Sequence, residues 1–537
     1  MKFVAFCAFL SLTAVPCLTW AATSCDGAGN CYIRAASSCT SSCGATWSAA
    51  YSGFGTGASQ INPASMTRGV TYWIAAGNYG TVNFSTAASG TSVITVNVAT
   101  TSSHGPDSTW SNSYAGQAQF GGDSAISTSY WVISGQSWGS PCSGLMACNL
   151  DSAYNLYFLN TTHLGSTDDI LTVGPGTNIS ITYADLQGPG TAANWSTVNG
   201  NSDDGLDVST GNGAQETDNL YVGYSYIHDA TVDLVGSNGQ SSVSNVNGSG
   251  HIFEHDAFSR NWHGGTGTDD PHTQAMSECV TNFTVRYNIF YDTVEDGTID
   301  INVSNTCPIS NWAIYGNEIY WDNSVPSNRI ALVGGILGMY GETITGYFYV
   351  VNNTVANLSP LSGANVNMSL MWICGTSCNS SASGATIVVA NNLFWQSGSA
   401  GGSGKAVDYS CDSTCTTEVP SISDYNVGYC PTSGCTGGTG YSPQGSHDIA
   451  TNSGNPFVNF DGSSNFNVAL NTDTSAGTAV TGWASIPSGC TSGVNCMNVD
   501  GFGVIRGANG TIDRGALQIS GSSSAPSSPP APDATVH

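Results

Sequence analysis

Apolar and polar residues alternate one by one in short runs along most of the chain. In NFTVRYNIF, which begins at Asn282, the apolar residues Phe283 and Val285 are separated by the polar Thr284. An alternation with a period of two places successive side chains on opposite faces of a strand, so these runs predict β-strands. Runs with the period of an amphipathic helix are almost absent, and the pattern therefore predicts an all-β protein.

The alternating run recurs at least eight times as one module, in which an Asn or Gly precedes apolar alternation, a polar turn residue and another apolar pair. Successive copies start 23 to 41 residues apart, which suits coils joined by loops of variable length. Each coil would bury its apolar face only against the next coil. The predicted fold is therefore a single-stranded, right-handed parallel β-helix, a solenoid with disulfide-stapled loops. The copies are NLYFLNTTHL from Asn155, NISITYADL from Asn178, NLYVGYSYI from Asn219, GHIFEHDAF from Gly250, NFTVRYNIF from Asn282, NWAIYGNEI from Asn311, YFYVVNNTV from Tyr347 and TIVVANNLF from Thr386.

Three asparagines, Asn288, Asn317 and Asn392, fall at the same position of their modules. When strands stack coil on coil, aligned Asn side chains can hydrogen-bond to one another as a ladder. The alternative is that these residues only reflect the preference of Asn for turns.

The two ends of the chain differ from its middle. Lys2 precedes an apolar run to Leu12, and small residues follow before Ala22, as in a secretory signal peptide. No later stretch reaches the roughly 20 apolar residues of a membrane span. We therefore expect a secreted, extracellular protein without membrane insertion. The predicted parts are a signal peptide at 1–21, a Cys-rich N-terminal cap at 22–70, the β-helix at 71–519 and a disordered Ser/Pro-rich tail at 520–537.

Eighteen cysteines become sixteen once Cys7 and Cys17 of the predicted signal peptide are removed. Most of the others form close couples, which predicts local disulfides in an oxidising compartment. A zinc site is the alternative, but the couples lack the spacing and the His partners that zinc sites use. The predicted pairs are Cys25–Cys31, Cys39–Cys43, Cys142–Cys148, Cys279–Cys307, Cys374–Cys378, Cys411–Cys415, Cys430–Cys435 and Cys490–Cys496.

The chain is acidic and poor in charge, with 8% charged residues, nine Lys and Arg together, and a formal net charge of -27. So few cations do not form an extended basic groove, and we therefore expect no nucleic-acid partner. A polyanionic glycan would also be repelled unless a divalent cation bridged it to the protein. We expect a monomer.

Four consecutive coils share a second pattern, an acid followed four residues later by another acid or an amide, in DDGLD, DATVD, DPHTQ and DGTID. The first column of this pattern contains Asp203, Asp229, Asp270 and Asp296. The second column contains Asp207, Asp233, Gln274 and Asp300.

Like charges on neighbouring strands repel, so these columns predict a function that offsets the repulsion. Carboxylates of the first column could bind Ca²⁺, which is the candidate cofactor. The alternation predicts that Asp207, Asp233 and Asp300 point outward on one exposed face as catalytic acids. Asp207 and Asp233 on adjacent coils would suit a retaining glycosidase, and Asp233 and Asp300 two coils apart an inverting one. The alternative for both columns is structural capping in polar turns.

Two further segments resemble the pectate-lyase-like β-helix superfamily. They are YWIAAGNYGTVNFSTAASGTSVITVNV from Tyr72 and DGFGVIRGANGTIDRGAL from Asp500, and with the central repeats the resemblance spans about residues 70 to 518. This superfamily includes lyases, hydrolases, epimerases and adhesins, so the resemblance implies the fold more than the activity. Because its lyases often use a Lys or Arg base together with Ca²⁺, the resemblance makes Arg260, Arg286 and Arg329 candidates.

The DPH of Asp270 to His272 is similar to the catalytic motif of alginate C5-epimerases, which would make His272 a base. Those enzymes have a Tyr three residues before the Asp, whereas this chain has Gly267, so a proton donor would have to come from elsewhere. In the same loop, Arg260 is a candidate for carboxylate binding or catalysis. Further candidates for substrate binding are Trp262, His263, Gln274, Arg286 and Arg329.

The sequence thus predicts an enzyme that acts on an extracellular polysaccharide. We favour a lyase that cleaves a uronate-containing polymer by β-elimination. The alternatives are a glycoside hydrolase with an Asp pair, a uronate epimerase, and a noncatalytic carbohydrate-binding adhesin or surface protein.

Overall fold

The architecture is that of a computed structural model, and both the predicted signal peptide and the predicted tail lie outside the residues it describes. The described residues are 25–136, 154–160, 169–190, 206–208, 217–230, 233–236, 248–261, 274–291, 293, 297–301, 308–321, 336–339, 343–357, 369–373, 385–396, 407–411, 421–429, 443–451, 456–459, 467–470, 474, 477–478, 496–507 and 509–519.

Strands make up nearly all the regular structure of these residues, beside two 3-10 turns at Asn112–Tyr114 and Cys496–Asn498. The first strands are β1 (Asn30–Ile33), β2 (Thr71–Ile74), β3 (Gly77–Asn78), β4 (Asn83–Phe84), β5 (Ile94–Val98), β6 (Ala118–Gly121), β7 (Ser124–Ile126), β8 (Trp131–Ser134), β9 (Leu156–Leu159), β10 (Leu171–Val173), β11 (Gly176–Thr182) and β12 (Ala184–Gln187). The central strands are β13 (Leu206–Asp207), β14 (Thr217–Gly223), β15 (Tyr226–His228), β16 (Val235–Gly236), β17 (Gly248–Ser249), β18 (Ile252–Glu254), β19 (Ala257–Ser259), β20 (Gln274–Glu278), β21 (Phe283–Arg286), β22 (Ile289–Tyr291), β23 (Gly297–Ile301), β24 (Pro308–Tyr315) and β25 (Glu318–Trp321). The last strands are β26 (Leu337–Met339), β27 (Thr343–Val351), β28 (Thr354–Asn357), β29 (Ser369–Ile373), β30 (Thr386–Ala390), β31 (Leu393–Gln396), β32 (Val407–Cys411), β33 (Ile422–Asp424), β34 (Val427–Tyr429), β35 (Ile449–Thr451), β36 (Phe457–Asn459) and β37 (Asn467–Leu470).

The chain visits three parallel sheets in turn, and each visit adds one strand beside the strand of the preceding coil. Within the described residues, sheet I has 13 strands in the order β1-β2-β5-β8-β11-β14-β18-β21-β24-β27-β30-β33, with β17 beside β14. Sheet II has 12 strands, β3-β6-β9-β12-β15-β19-β22-β25-β28-β31-β34-β35, and sheet III has 10, β4-β7-β10-β13-β16-β20-β23-β26-β29-β32. Strands that follow one another in a sheet are always one circuit apart in sequence. The predicted all-β parallel β-helix is therefore confirmed.

β1 lies within the segment predicted as an N-terminal cap, and it pairs with β2 in parallel register. Seven of the eight predicted modules, those from Asn178 onward, span a strand of sheet I, the following turn and a strand of sheet II. The module from Asn155 differs, because β9 already belongs to sheet II.

The core is a set of apolar columns that run along the inside of the helix. In sheet II the stacked Phe258 and Phe290 have ring centroids 4.7 Å apart, close to the spacing of about 4.8 Å between hydrogen-bonded strands. The column of sheet III contains Leu206, Val235, Met276, Ile299 and Leu337, each at most 1% exposed.

The turn between sheets I and II has the same length in every coil from β14 to β34, two residues. The first turn residue takes a positive φ, for example 56° at Tyr224 and 57° at His255. The second carries a side chain that caps the turn of a neighbouring coil. Since the connection from sheet II to sheet III varies from two residues (122–123) to 18 (188–205), one edge of the helix is constant and another is variable.

The predicted asparagine ladder occupies the second turn position, and the structure confirms it. The Asn288 side-chain Nδ2 donates to Asn317 Oδ1 at 3.2 Å, and Asn317 Nδ2 donates to Asn353 Oδ1 at 3.0 Å. The ladder continues through Asn392 to Asn426. Each Nδ2 also donates to a backbone carbonyl of the preceding coil, such as Val285 O from Asn317, so this edge has few ways to change without loss of hydrogen bonds.

The C-terminal clasp, residues 496–519, packs on the outside of the helix. Asn352 Nδ2 donates to Met497 O at 2.6 Å, and the Gly515 N–H donates to Asn391 O at 2.7 Å. Met497 joins an apolar cluster on the outer face of sheet I, and Leu517 joins one on sheet II. The clasp therefore covers apolar surface that the solenoid alone would expose.

The structure contains the predicted disulfides Cys25–Cys31 and Cys39–Cys43. Cys279 is also disulfide-bonded, and its predicted partner Cys307 lies outside the described residues. Each other predicted pair has at least one cysteine outside them. In the part of the chain that the structure describes, no helix has the length and apolar character needed to cross a membrane.

Candidate active site

Three of the predicted site residues that the structure describes lie in the connections of the variable edge. Asp229 and Asp233 flank the connection from β15 to β16, and Arg260 begins the connection from β19 to β20. The backbones of Gln274 and Asp300 lie in the strands of sheet III that follow such connections. The predicted residues outside the described part of the chain are Asp203, Trp262, His263, Asp270, His272, Asp296 and Arg329.

The second acidic column has a different register from the predicted one. Asp207 pairs with Gly236, Gly236 with Ser277, and Ser277 with Asp300. Asp233 and Gln274 each precede this column by three residues. The predicted register was wrong because it aligned the acidic residues with one another. The register of sheet III is set by the buried residues, and their separation from the acidic or amide residue differs from strand to strand. These buried residues are Leu206, Val235, Met276 and Ile299.

Asp207 and Asp233 are also buried, at 4% and 8% exposure, rather than on an exposed face. They do lie on adjacent coils, as predicted, and Asp233 and Asp300 are two coils apart, as predicted for the inverting pair.

Arg286 lies away from the variable edge, on the outside of sheet I. It forms an ion pair with Glu254 and donates from Nη1 to Tyr315 Oη at 3.1 Å. Its exposure is only 7%, so the predicted role in substrate binding is not supported by its position.

Arg260 lies in a network of polar side chains, which we call the Arg260 cluster. Its members are Asp185, Tyr226, His228, Asp229, Ser259, Arg260 and Tyr291. Arg260 Nε donates to Asp229 Oδ1 at 2.6 Å, and its Nη2 donates to Asp229 Oδ2 at 2.8 Å. The ring of His228 lies between Asp229 Oδ2, at 2.6 Å from Nδ1, and Asp185 Oδ1, at 2.9 Å from Nε2. The cluster therefore contains a row of alternating acidic and basic side chains, Asp185, His228, Asp229 and Arg260.

Hydroxyl groups complete the Arg260 cluster. Arg260 Nη2 donates to Tyr226 Oη at 3.1 Å, and Nη1 donates to Tyr291 Oη at 3.3 Å. The two phenol oxygens are 2.6 Å apart, and Ser259 Oγ is 2.9 Å from Tyr226 Oη. Asp185, His228, Tyr226 and Ser259 are at most 1% exposed, whereas the Arg260 side chain is 26% exposed. The cluster thus reaches the surface at Arg260 and at the half-buried Tyr291.

Burial and neighbouring charges shift the pKa values of the groups in the Arg260 cluster. Burial alone would raise the pKa of Asp229, but hydrogen bonds from Arg260 and His228 hold it well below its usual range. Burial would lower the pKa of Arg260, yet its contacts with Asp229 and the two tyrosines raise it above the ordinary value. Arg260 therefore stays protonated and does not act as a proton acceptor. Burial raises the pKa of Tyr226 far above its usual value, so Tyr226 does not act as a base.

Asp229 was also a predicted calcium ligand. Its two carboxylate oxygens already accept hydrogen bonds from Arg260, and one of them contacts His228. Such a carboxylate is neutralised by its neighbours and does not fit a calcium site. Among the described residues, no group of three or more His, Cys, Asp or Glu side chains could hold a metal, and the other three predicted ligands lie outside them.

Sequence reasoning missed Asp185, His228, Tyr226 and Tyr291 as partners of Arg260. They come from β12, β15 and β22, which are far apart in sequence and lie within four successive strands of sheet II, β12-β15-β19-β22. The available signal was a polar or aromatic residue at an outward position of each strand, beside the inward Leu186, Ile227 and Phe290. The Tyr pair also supplies phenol groups of the kind that the DPH motif lacks at Gly267.

Comparisons with known proteins give structural likeness only. No family model matches the chain, and no curated protein matches it. A solved pectate lyase aligns over 91% of this chain and 96% of its own, at 13% identity and a TM-score of 0.38. The tailspike of Pseudomonas phage phi297 aligns over 63% and 47%, at 14% identity and a TM-score of 0.32. A PL6 family alginate lyase aligns over 71% and 51%, at 13% identity and a TM-score of 0.31. The strand pairings themselves, rather than these alignments, establish the parallel β-helix.

Proposed function

We propose that the protein is a secreted polysaccharide lyase that cleaves a uronate-containing polymer by β-elimination at the Arg260 cluster. The observation that carries this proposal is a partly exposed, permanently protonated arginine at the variable edge, held by Asp229 and flanked by two phenol groups. β-Elimination requires such a group, because removal of the proton at C5 of a uronate spreads negative charge onto its carboxylate.

Within the described part of the chain, the Nη1 side of Arg260 is the one that faces no carboxylate. Nε and Nη2 face Asp229, while Nη1 points to Tyr291 Oη. A uronate carboxylate that docks between Nη1 and Tyr291 would receive charge-assisted hydrogen bonds. The C5 proton passes to a base, the C4–O4 bond breaks, and the leaving oxygen takes a proton. Tyr291, at the rim of the cluster, and His272, predicted from the sequence, are the candidates for these two proton transfers.

The first test is a product assay. Purified protein is incubated with a panel of uronate and neutral polysaccharides, with Ca²⁺ or with a chelator, and unsaturated uronate ends and reducing ends are measured. We expect unsaturated ends from at least one uronate polymer. Reducing ends without unsaturation would identify a hydrolase instead. Neither signal, together with retained glycan binding, would identify an adhesin, and the chelator arm decides whether Ca²⁺ takes part.

The second test locates the site. We expect Arg260→Ala to lower kcat/KM by about 100-fold or more, as loss of a transition-state donor does. Tyr291→Phe should lower kcat without a comparable change in KM. The matched control is Arg34→Ala, since Arg34 also lies over a tyrosine ring, 4.8 Å from the centroid of Tyr114, but in the N-terminal part. Equal activity of the two arginine variants would remove the Arg260 cluster as the site.

A further inference from the structure

His228 contacts a carboxylate oxygen with each of its ring nitrogens. Nδ1 is 2.6 Å from Asp229 Oδ2, and Nε2 is 2.9 Å from Asp185 Oδ1. An ionised carboxylate only accepts hydrogen bonds, whereas a neutral imidazole donates from one nitrogen alone. With Asp185 and Asp229 both ionised, the two contacts are satisfied together only when both nitrogens carry a proton. The geometry thus points to an imidazolium ion.

The surroundings of His228 stabilise that charge on several sides. Asp185 faces it from the preceding strand of sheet II, and Asp229 follows it in the chain. The ring of Tyr226 stacks on it with centroids 3.8 Å apart and planes 12° apart, a geometry that favours a cation over an aromatic face. Arg260 is the opposing group, with Nη2 3.2 Å from Nδ1. Burial alone would lower the pKa of His228, but the two aspartates raise it above its ordinary value.

The formal charges of the four groups sum to zero when His228 is protonated, two cations against two anions. Without the proton, the row would have a net charge of -1 in a chain that already carries -27. A polyanionic substrate would then meet a negative site, which lowers both encounter and binding. The charge on His228 offsets Asp185 and leaves the row neutral for an anionic substrate.

We propose that His228 is a charged positioning residue that aligns Asp229, and through it Arg260, and that keeps the site electrically neutral for a uronate. This inference rests on the proposed function for its substrate, and not for its protonation state. His228 does not touch the substrate. It acts through Asp229, whose two oxygens set the orientation of the Arg260 guanidinium.

The protein contains an internal comparison for this assignment. His251 is as buried as His228, but its Nε2 lies 2.8 Å from the backbone oxygen of Thr217, and none of the described carboxylates hydrogen-bonds to it. Burial lowers the pKa of His251 to about 4. Nitrogen-15 NMR of the imidazole rings at neutral pH should therefore show two protonated nitrogens in His228 and one in His251. A His228 ring with an unprotonated nitrogen would overturn the assignment, whatever the activity of the protein.

Charge restoration separates positioning from a merely structural role. We expect His228→Asn to lower kcat/KM on a uronate polymer by about tenfold or more, because a small misplacement of a reacting group has a cost of this order. The double variant Asp185→Asn/His228→Asn removes one anion and one cation, restores the neutral row, and should recover part of the loss, mainly through KM. A structural role would make the double variant no better than the single one, and that result would overturn the proposal.

His251→Asn is the control, since it removes a buried histidine far from Arg260 and should leave kcat and KM unchanged. Thermal unfolding of every variant shows which ones fold, and the double variant retains a readout if His228→Asn alone does not fold. If the wild-type protein makes no unsaturated product from any uronate polymer, the proposed function fails, while the NMR result still decides the state of His228.

Discussion

Arg260 and Arg286 each pair with a carboxylate of the preceding coil, yet they have different roles. Arg286 lies on sheet I, where Glu254 and Tyr315 enclose it at 7% exposure. Arg260 lies at the variable edge, where a quarter of its side chain is exposed. Similar local chemistry therefore gives a structural ion pair in one case and a candidate binding group in the other.

The buried pair of Glu254 and Arg286 should contribute to stability and not to activity. We expect Arg286→Met to lower the free energy of unfolding by about 3 to 5 kcal/mol, since it leaves Glu254 as an uncompensated buried charge. Glu254→Gln/Arg286→Met should recover much of this loss. Urea unfolding measures both variants, and a double variant as unstable as the single one would contradict the explanation.

The buried Glu318 should make the folding stability depend on pH. Burial and the nearby charge of Asp500 raise the pKa of Glu318 to about 8. Because the folded state favours the protonated carboxyl, this group contributes full stability below its unfolded pKa of 4.5, and the contribution is lost as pH rises to about 8. Glu318→Gln should remove this part of the pH dependence and raise the melting temperature relative to wild type at alkaline pH. Parallel melting curves of both proteins across this range would refute the assignment.

At the scale of elements, the two-residue turn between sheets I and II is the most uniform feature of the molecule. The sequence was sufficient to predict the strands, the coil repeat and three members of the asparagine ladder, because these depend on local alternation and on repeated positions. It was insufficient for the acidic columns, since the register in sheet III depends on which apolar side chain enters the core. The Arg260 cluster was beyond prediction for a related reason. Its residues meet only after four coils, those of β12, β15, β19 and β22, are stacked in register.

Substitution of Asn317 tests whether the hydrogen bonds of the asparagine ladder contribute to stability. It accepts from Asn288 and donates to Asn353 and to Val285 O, all out of contact with water. Asn317→Ala should cost about 1 to 3 kcal/mol for the buried groups left unsatisfied. Denaturant unfolding measures this loss, and the exposed Asn78→Ala, outside the ladder, is the control. A loss no larger than that of the control would show that turn propensity alone explains the ladder.

Asp256 occupies a ladder position where later coils have Asn. Its Oδ1 accepts from Ser225 N at 2.7 Å, and among the described residues its buried Oδ2 has no hydrogen-bond partner. Burial and the charge of Glu254 raise the pKa of Asp256 well above its ordinary value. Asp256→Asn supplies an amide donor at this position, so we expect it to be more stable than wild type at neutral pH.

The sign of the pH effect follows from the raised pKa. Protonated Asp256 favours the folded state, so wild-type stability falls as pH rises and the advantage of Asp256→Asn should grow in the same direction. Melting temperatures of both proteins from mildly acidic to alkaline pH measure this difference. An advantage that shrinks as pH rises would contradict a neutral Asp256.

For the whole molecule, the solenoid depends on contacts that close its outer faces as well as on its core. In the sequence, the C-terminal clasp was visible only as the segment from Asp500 that resembles the pectate-lyase-like superfamily, and its docking on sheets I and II was not predicted. The contacts that fix it join residues more than 100 positions apart, such as Asn352 with Met497. Local patterns contain no information about such pairs.

Alanine variants of two glycines distinguish the effect of lost clasp docking from the effect of backbone strain alone. Gly515 and Gly510 both have positive φ, +107° and +95°, so an Ala at either position is strained. A Cβ at Gly515 would lie 2.9 Å from Leu393 Cβ, whereas nothing lies within 4 Å of one at Gly510. Gly515→Ala should therefore lower the melting temperature more and make residues 496–519 more sensitive to proteases. Equal effects of the two variants would show that the clasp contributes little beyond its own strain.

The contrast between the constant and the variable edge has a consequence for how such a protein can change. An insertion of ten residues at the two-residue turn would break the ladder in that coil, whereas the same insertion between sheets II and III leaves every strand pairing in place. Proteins of this kind can thus change specificity by exchange of whole connections between sheets II and III, while the β-helix core stays the same. A protein engineer could graft a connection from another β-helix between Tyr291 and Gly297 without redesigning the core.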